Sequence, residues 1–284
     1  MIQLQGVRKT FKRTTVLQGL DLEIATGDRI ALIGSNGAGK TTLIRCLLGE
    51  YEFEGNILLD GMNPRSERKA VLSQVGFVPQ LPPPLKMPVR QLLTFSASVC
   101  DCSTDEMERI ATLLGLDLEQ LYRRPFEKLS GGQKQKLLIA IALGRPTRLL
   151  IMDEPAANLD PEARHTLFSL LEEKRNETAM LITSHRLDEV ASLVNRVVEL
   201  DRGAVVLNDR VDDSTDLSSL LHCTIAITRD EPAFAKAILD WGFAAGSNAR
   251  QWSGTIPGPD RLRFLGMLSR YAALLSAVEI KEAT

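Results

Sequence analysis

The chain has 284 residues, room for one large domain and a smaller one. Apolar residues make up 44% and charged residues 25%, the balance of a soluble globular protein. The 34 Lys and Arg against 36 Asp and Glu leave a net charge of −2, without the basic excess expected of a nucleic-acid-binding domain.

No run approaches the ~18–20 consecutive apolar residues that cross a bilayer. Met1–Lys9 lacks the apolar stretch after a basic start that marks a secretory leader, so none is expected. The four cysteines, Cys46, Cys100, Cys102 and Cys223, read as free thiols of a reducing compartment. Cys100 and Cys102 stand one residue apart, but no second ligand pair at metal-site spacing accompanies them.

In chain order, Ile2, Leu4 and Val7, then Val16, Leu20, Leu22 and Ile24, alternate like strands. They predict an antiparallel pair that ends at the turn Thr26-Gly27-Asp28. Arg29–Ile33 reads as a buried strand and Thr42–Leu48 as a helix. Gly55–Gly61 holds another short strand, and Val75–Gln80 a strand stopped by Pro79. Leu81-Pro82-Pro83-Pro84 is a stiff connector. Helical patterns follow over 88–99, 103–115 and 117–123, with Ser103 and Thr104 as candidate caps. They predict a helical subdomain over about 81–145, inserted in an α/β domain.

Arg148–Asp153 reads as a buried strand that ends in an acid. Pro161–Lys174 is a predicted helix with proline in its first turn. Ala179–Ser184 is the next buried strand and Leu187–Leu193 a helix. Val197–Leu200 and Ala204–Leu207 predict a hairpin around Asp201-Arg202-Gly203. Strands alternating with helices predict a mainly parallel sheet covered on both faces. The polar run Asp212–Asp216 marks a boundary, so residues 1–213 form the first domain and 218–284 a small α+β domain. In the latter, strands are expected at Thr224–Thr228 and Gln251–Ile256, and helices at Pro232–Trp241 and Asp260–Val278. Leu262, Leu265, Leu268, Tyr271 and Leu275 would share one face of that last helix, and Glu279-Ile280 is a candidate closing strand.

The most informative stretch is Gly34-Ser35-Asn36-Gly37-Ala38-Gly39-Lys40-Thr41-Thr42. It fits the phosphate-binding pattern of glycine, four residues, then Gly-Lys-Thr, and stands between a strand and a helix. That context turns unpaired backbone N–H groups and the helix dipole towards an anion. The glycines let the backbone close around the phosphates. Lys40 supplies charge for the β- and γ-phosphates and Thr41 a hydroxyl for Mg²⁺. Leu129-Ser130-Gly131-Gly132-Gln133 opens a helix and exposes further N–H groups, a second candidate anion site that taken alone could equally be an ordinary helix start. Asp153 and Glu154 end a strand aimed at the C-terminal sheet edge. One acid there can hold Mg²⁺ and the other polarise an attacking water.

Taken together, these residues resemble the ATP-binding cassette (ABC) ATPases, over about residues 1–210. The elements stand in that family's order: the phosphate loop Gly34–Thr42, Gln80, Leu129–Gln133, Asp153 with Glu154, the segment Asn158-Leu159-Asp160, and His185. The resemblance implies the P-loop NTPase core of that family, with an antiparallel N-terminal β subdomain and a helical subdomain.

It further implies that Phe11 stacks on adenine, where the family usually has tyrosine. Lys40, Thr41 and Thr42 contact phosphates and Mg²⁺. Gln80 reaches Mg²⁺ and the attacking water, Asp153 holds the metal, Glu154 is the catalytic carboxylate and His185 meets the γ-phosphate. Ser130, Gly131, Gly132 and Gln133 act on the nucleotide of a second copy. The implied protein is the ATP-hydrolysing subunit of an export-type bacterial transporter. It would work with ATP and Mg²⁺ as a homodimer, cytoplasmic and peripheral on the inner membrane face through a separate permease. The alternative is a soluble ATPase of the family without a permease, as in iron–sulfur assembly. Two departures stand out: Ala156-Ala157 where the family commonly places a hydroxyl residue, and the short acidic run Glu50–Gly55.

Overall fold

The computed structural model describes residues 1–184, 190, 193–210, 220–246, 250–257 and 260–282. The chain divides into two compact units, Met1–His185 with Arg196–Asn208, and Arg186–Asn195 with Asp209–Thr284. Most of the helix expected over 187–193 lies outside the described residues.

In the first unit, β1 (Ile2–Phe11) and β2 (Thr14–Ile24) form the expected antiparallel pair, and β4 (Glu54–Leu59) joins the other edge of β1. The main sheet has six strands. β3 (Arg29–Ile33), β5 (Val75–Val78), β6 (Leu149–Asp153), β7 (Ala179–Thr183), β8 (Arg196–Asp201) and β9 (Ala204–Arg210) stand in the order β5-β6-β7-β3-β8-β9. The pairs β5/β6, β6/β7, β7/β3 and β3/β8 are parallel. Every residue of β3, β6 and β7 is buried. Unbroken apolar runs of that kind belong to strands covered on both faces.

Helices α1 (Lys40–Leu47) and α2 (Arg68–Ser73) precede the helical subdomain of α3 (Val89–Val99), α4 (Asp105–Leu113) and α5 (Leu118–Leu121). α6 (Gly131–Leu143) and α7 (Pro161–Glu173) follow. Ser103 and not Thr104 supplies a side-chain acceptor at the start of α4, to the Asp105 N–H at 3.3 Å. The base of β8 is tied down by a buried ion pair, Arg196 Nη1 to Asp28 Oδ2 at 2.8 Å. Arg196 also donates to Glu23 O and Asn208 Oδ1, so the buried charge is fully engaged.

The second unit is a four-stranded antiparallel sheet, β10 (Leu220–Ile227), β11 (Ala244–Ala245), β12 (Gln251–Pro257) and β13 (Leu275–Glu282), in the order β11-β12-β10-β13. Helices Pro232–Leu239 and Arg261–Ser269 connect its strands in a β-α-β-β-α-β succession. Leu221, Cys223, Ile225 and Ile227 of β10 face the core with Phe234, Ile238 and Phe264, while alternate residues of β10 face away from it.

The helix read over 260–278 covers only Arg261–Ser269, and Leu275–Glu282 is a strand rather than its last turns. The Leu274 carbonyl accepts from both the N–H and the hydroxyl of Thr228, at 2.8 and 3.1 Å, which draws the chain out of helical geometry. Beyond that point, pairing with β10 from Ile227↔Leu275 to Leu221↔Glu282 replaces the helical bonds. Leu265 and Leu268 are buried as the helical pattern implied, and Leu274 is buried from the following turn. The side chain of Leu262 lies outside the described residues.

Candidate functional site

β3 delivers the glycine loop to the C-terminal edge of the parallel sheet, and the loop runs into α1. Gly34 has φ +145°, and a Cβ there would lie 2.3 Å from Leu200 O, so only glycine lets the chain turn away beside the end of β8. Gly39 caps α1 without a side-chain acceptor, which leaves the first-turn N–H groups facing the loop interior. Lys40 folds back over the loop, its Nζ donating to Gly34 O at 2.6 Å and Ser35 O at 3.3 Å. Burial pulls the Lys40 amine below the usual lysine value, against the opposite pull of the Glu154 and Asp153 carboxylates. The β8–β9 turn, with Arg202 at φ +46° and Gly203 at +81°, braces the loop through the Gly203 N–H on Ala38 O at 2.9 Å.

The acid pair comes from β6. The parallel register sets Asp153 directly beside Thr183 of β7. The Thr183 hydroxyl donates to Asp153 Oδ1 at 2.6 Å. The Thr183 hydroxyl oxygen in turn accepts the Glu154 N–H at 3.0 Å, which also reaches Thr183 O at 3.3 Å. Glu154 sits at φ +53°, in the left-handed region that costs a non-glycine residue about 1–2 kcal/mol.

A cleft of 310 Å³ gathers these groups. Ser35 to Thr42 line one side, with Val16, Gln80, Asp153 and Glu154 around them. Thr41, Gln80 and the two carboxylates present oxygen donors to one space. A hard, all-oxygen donor set of this kind suits Mg²⁺.

Phe11 is 39% exposed at the end of β1, apart from the residues that line this cleft. Its ring meets Tyr51 edge-on at 5.2 Å, and Lys9 Nζ lies 4.6 Å from its centroid. Tyr51 belongs to the short acidic run to which the sequence attached no role. Ser130, Gly132 and Gln133 line a second, separate cleft of 390 Å³ with Lys136 and Asp160. There Ser130 and Gln133 form a reciprocal capping box at the start of α6, and the space beside Gly131 is open. Lys136 pairs with Asp160 at 2.7 Å, and Gln135 Nε2 reaches Pro155 O at 3.2 Å, which fastens α6 to the segment after the acids. His185 lies outside the described residues. Cys100 accepts from Arg145 Nη1 at 2.8 Å.

Sequence reading missed Thr183 and Tyr51. A threonine closing the apolar run Ala-Met-Leu-Ile was the available signal for the first. Nothing local marked the second.

The ABC transporter family profile matches residues 17–157. The glutamine transport ATP-binding protein GlnQ of Escherichia coli is 32% identical over 217 residues, 72% of this chain and 89% of that protein. The chain belongs to the ABC transporter ATP-binding family. Another relative is the Nod factor export ATP-binding protein I of Cupriavidus metallidurans, 33% identical over 76% of this chain and 73% of that protein. Among solved structures, an ATP-binding subunit of an ABC transporter superposes with a TM-score of 0.69 at 27% identity, over 75% of this chain and 91% of that one. This ABC subunit is therefore an ATPase with the P-loop α/β fold, and its nucleotide is ATP. No helix among its described residues is long and apolar enough to cross a membrane.

Proposed function

We propose that this ABC subunit hydrolyses Mg-ATP between two copies of itself and drives an export-type permease from the inner membrane face. One observation supports the composite site above the others. The phosphate-loop cleft and the Ser130–Gln133 cleft share no lining residue, so the helix start that would close over a nucleotide is left to serve another copy.

In this reading Phe11 stacks its open face on adenine while Lys9 and Tyr51 hold the ring from other sides. Ser35 to Gly39 wrap the phosphates with backbone N–H groups. Lys40 gives up its carbonyl contacts on Gly34 and Ser35 for the β- and γ-phosphates. Thr41, Gln80 and Asp153 hold Mg²⁺, which supplies charge neutralisation for the transferred phosphate. Glu154 takes the proton of the attacking water, Gln80 orients that water, and His185 contacts the γ-phosphate. Thr42 adds a further phosphate contact. Ser130, Gly131, Gly132 and Gln133 meet the γ-phosphate of the second copy. Closure around two nucleotides and reopening after hydrolysis give the stroke.

The permease is received beside Gln80. There Leu81 is 81% exposed, and Phe95 and Val99, one turn apart on α3, are also exposed. The export direction rests on the second unit that follows the cassette.

Glu154→Gln tests the core of this proposal. Turnover is expected to fall at least about 10²-fold, since a positioned general base contributes that much. Mg-ATP is expected to remain bound and to hold the variant as a dimer in light scattering. Undiminished hydrolysis, or a monomer under saturating Mg-ATP, would sink it. Co-purification from membranes identifies the permease, and reconstituted vesicles give the direction.

A further inference from the structure

We propose that Thr183 is a positioning residue whose hydroxyl holds Asp153 and Glu154 in the arrangement that binds Mg²⁺ and aims the base. The inference rests on the reading of the acid pair given above. Thr183 is wholly buried. Its single hydroxyl is used twice, as donor to Asp153 Oδ1 at 2.6 Å and as acceptor of the Glu154 N–H at 3.0 Å. The two acids are chain neighbours, so one oxygen holds the side chain of the first and shares the backbone N–H of the second with the Thr183 carbonyl.

Both need fixing. Asp153 is buried, and a carboxylate deprived of a donor inside a protein bears the full desolvation penalty. Glu154 holds a left-handed backbone that relaxes unless its surroundings prevent it.

Packing does not explain the hydroxyl. The other four residues of β7 are Ala179, Met180, Leu181 and Ile182, all buried between β6 and β3. Valine has the shape of threonine and would satisfy the same space without the oxygen. What valine cannot do is donate to a carboxylate. The hydroxyl also lies at the last residue of β7, two positions before His185.

The test compares Thr183→Val and Thr183→Ser in the full chain. Nucleotide affinity without metal, the Mg²⁺ concentration that half-saturates the metal-dependent gain in affinity, and kcat are measured in each. For Thr183→Val, metal-free affinity is expected to match the wild type. The Mg²⁺ midpoint is expected to rise and kcat to fall, each about tenfold, the worth of one hydrogen bond to a charged group. Thr183→Ser is expected to restore both.

Wild-type kcat and Mg²⁺ midpoint in Thr183→Val would overturn the proposal. So would equal damage in the valine and serine variants with metal-free binding lost, because that is the mark of packing alone. A wild-type chain whose nucleotide affinity does not respond to Mg²⁺ would instead refute the reading of the acid pair itself.

Discussion

The two clefts of the first unit are about equal in size and opposite in equipment. The phosphate-loop cleft has a cation in Lys40, two carboxylates and a loop of backbone N–H groups. The Ser130 cleft has a helix start whose cap is already satisfied from within, Lys136 engaged by Asp160, and Arg124 in its lining, but no catalytic carboxylate pair and no glycine loop. In the proposed reading the first binds a nucleotide and attacks it, and the second closes on a phosphate held by another copy. Damage to the phosphate-holding groups of the first should therefore weaken binding, and damage to the second should abolish turnover and leave binding intact.

The sharpest way to break that contrast is to injure each cleft separately. Lys40→Ala removes charge-assisted bonds worth about 1.5–3 kcal/mol each, so ATP affinity should fall about 10²-fold and hydrolysis should vanish. Ser130→Arg should also stop hydrolysis, because a long cation then fills the open space at the helix start. Equilibrium titration should nevertheless find the affinity of the single subunit unchanged. The cap it loses is worth about 1 kcal/mol, so the fold survives. Weakened ATP binding by a monomer of Ser130→Arg would show that the two clefts serve one nucleotide within one copy.

The same contrast explains what was legible in the sequence. Gly34–Thr42 could be read because phosphate binding demands particular residue types at fixed local spacing. The fully buried β3, β6 and β7 could be read because parallel strands covered on both faces leave unbroken apolar runs. Thr183 and Tyr51 could not. Thr183 meets Asp153 because β6 and β7 align in register across 30 positions, and Tyr51 meets Phe11 because the fold brings them together across 40. Neither separation leaves a local trace. The tail helix was overextended for a related reason. Residues 270–278 are compatible with helix by themselves, and the carbonyl of Leu274 leaves that path only because Thr228 captures it. The choice between helix and strand there belongs to β10, some 50 residues earlier.

The smallest effect probes how the second cleft is joined to the acid pair. Lys136 is mostly buried at 14% exposure, and its partner Asp160 is 53% exposed. The hydrogen bond from Lys136, first, and the N–H of Ala163 hold the Asp160 carboxyl below its ordinary value of 3.8. A lowered folded value stabilises the protein above the unfolded value, and that contribution disappears as the pH falls through the folded one. Lys136→Met keeps the stem of the side chain and drops the charge. It should lower Tm slightly near neutrality, and the gap from wild type should close on acidification below 3.8. Ala163 still caps on Asp160 in the variant, so α7 keeps its start. Turnover should fall far less than in Ser130→Arg, since no group that meets phosphate is removed. A Tm gap that persists unchanged into acid would mean that Lys136 fastens α6 by its methylenes, with the ion pair incidental.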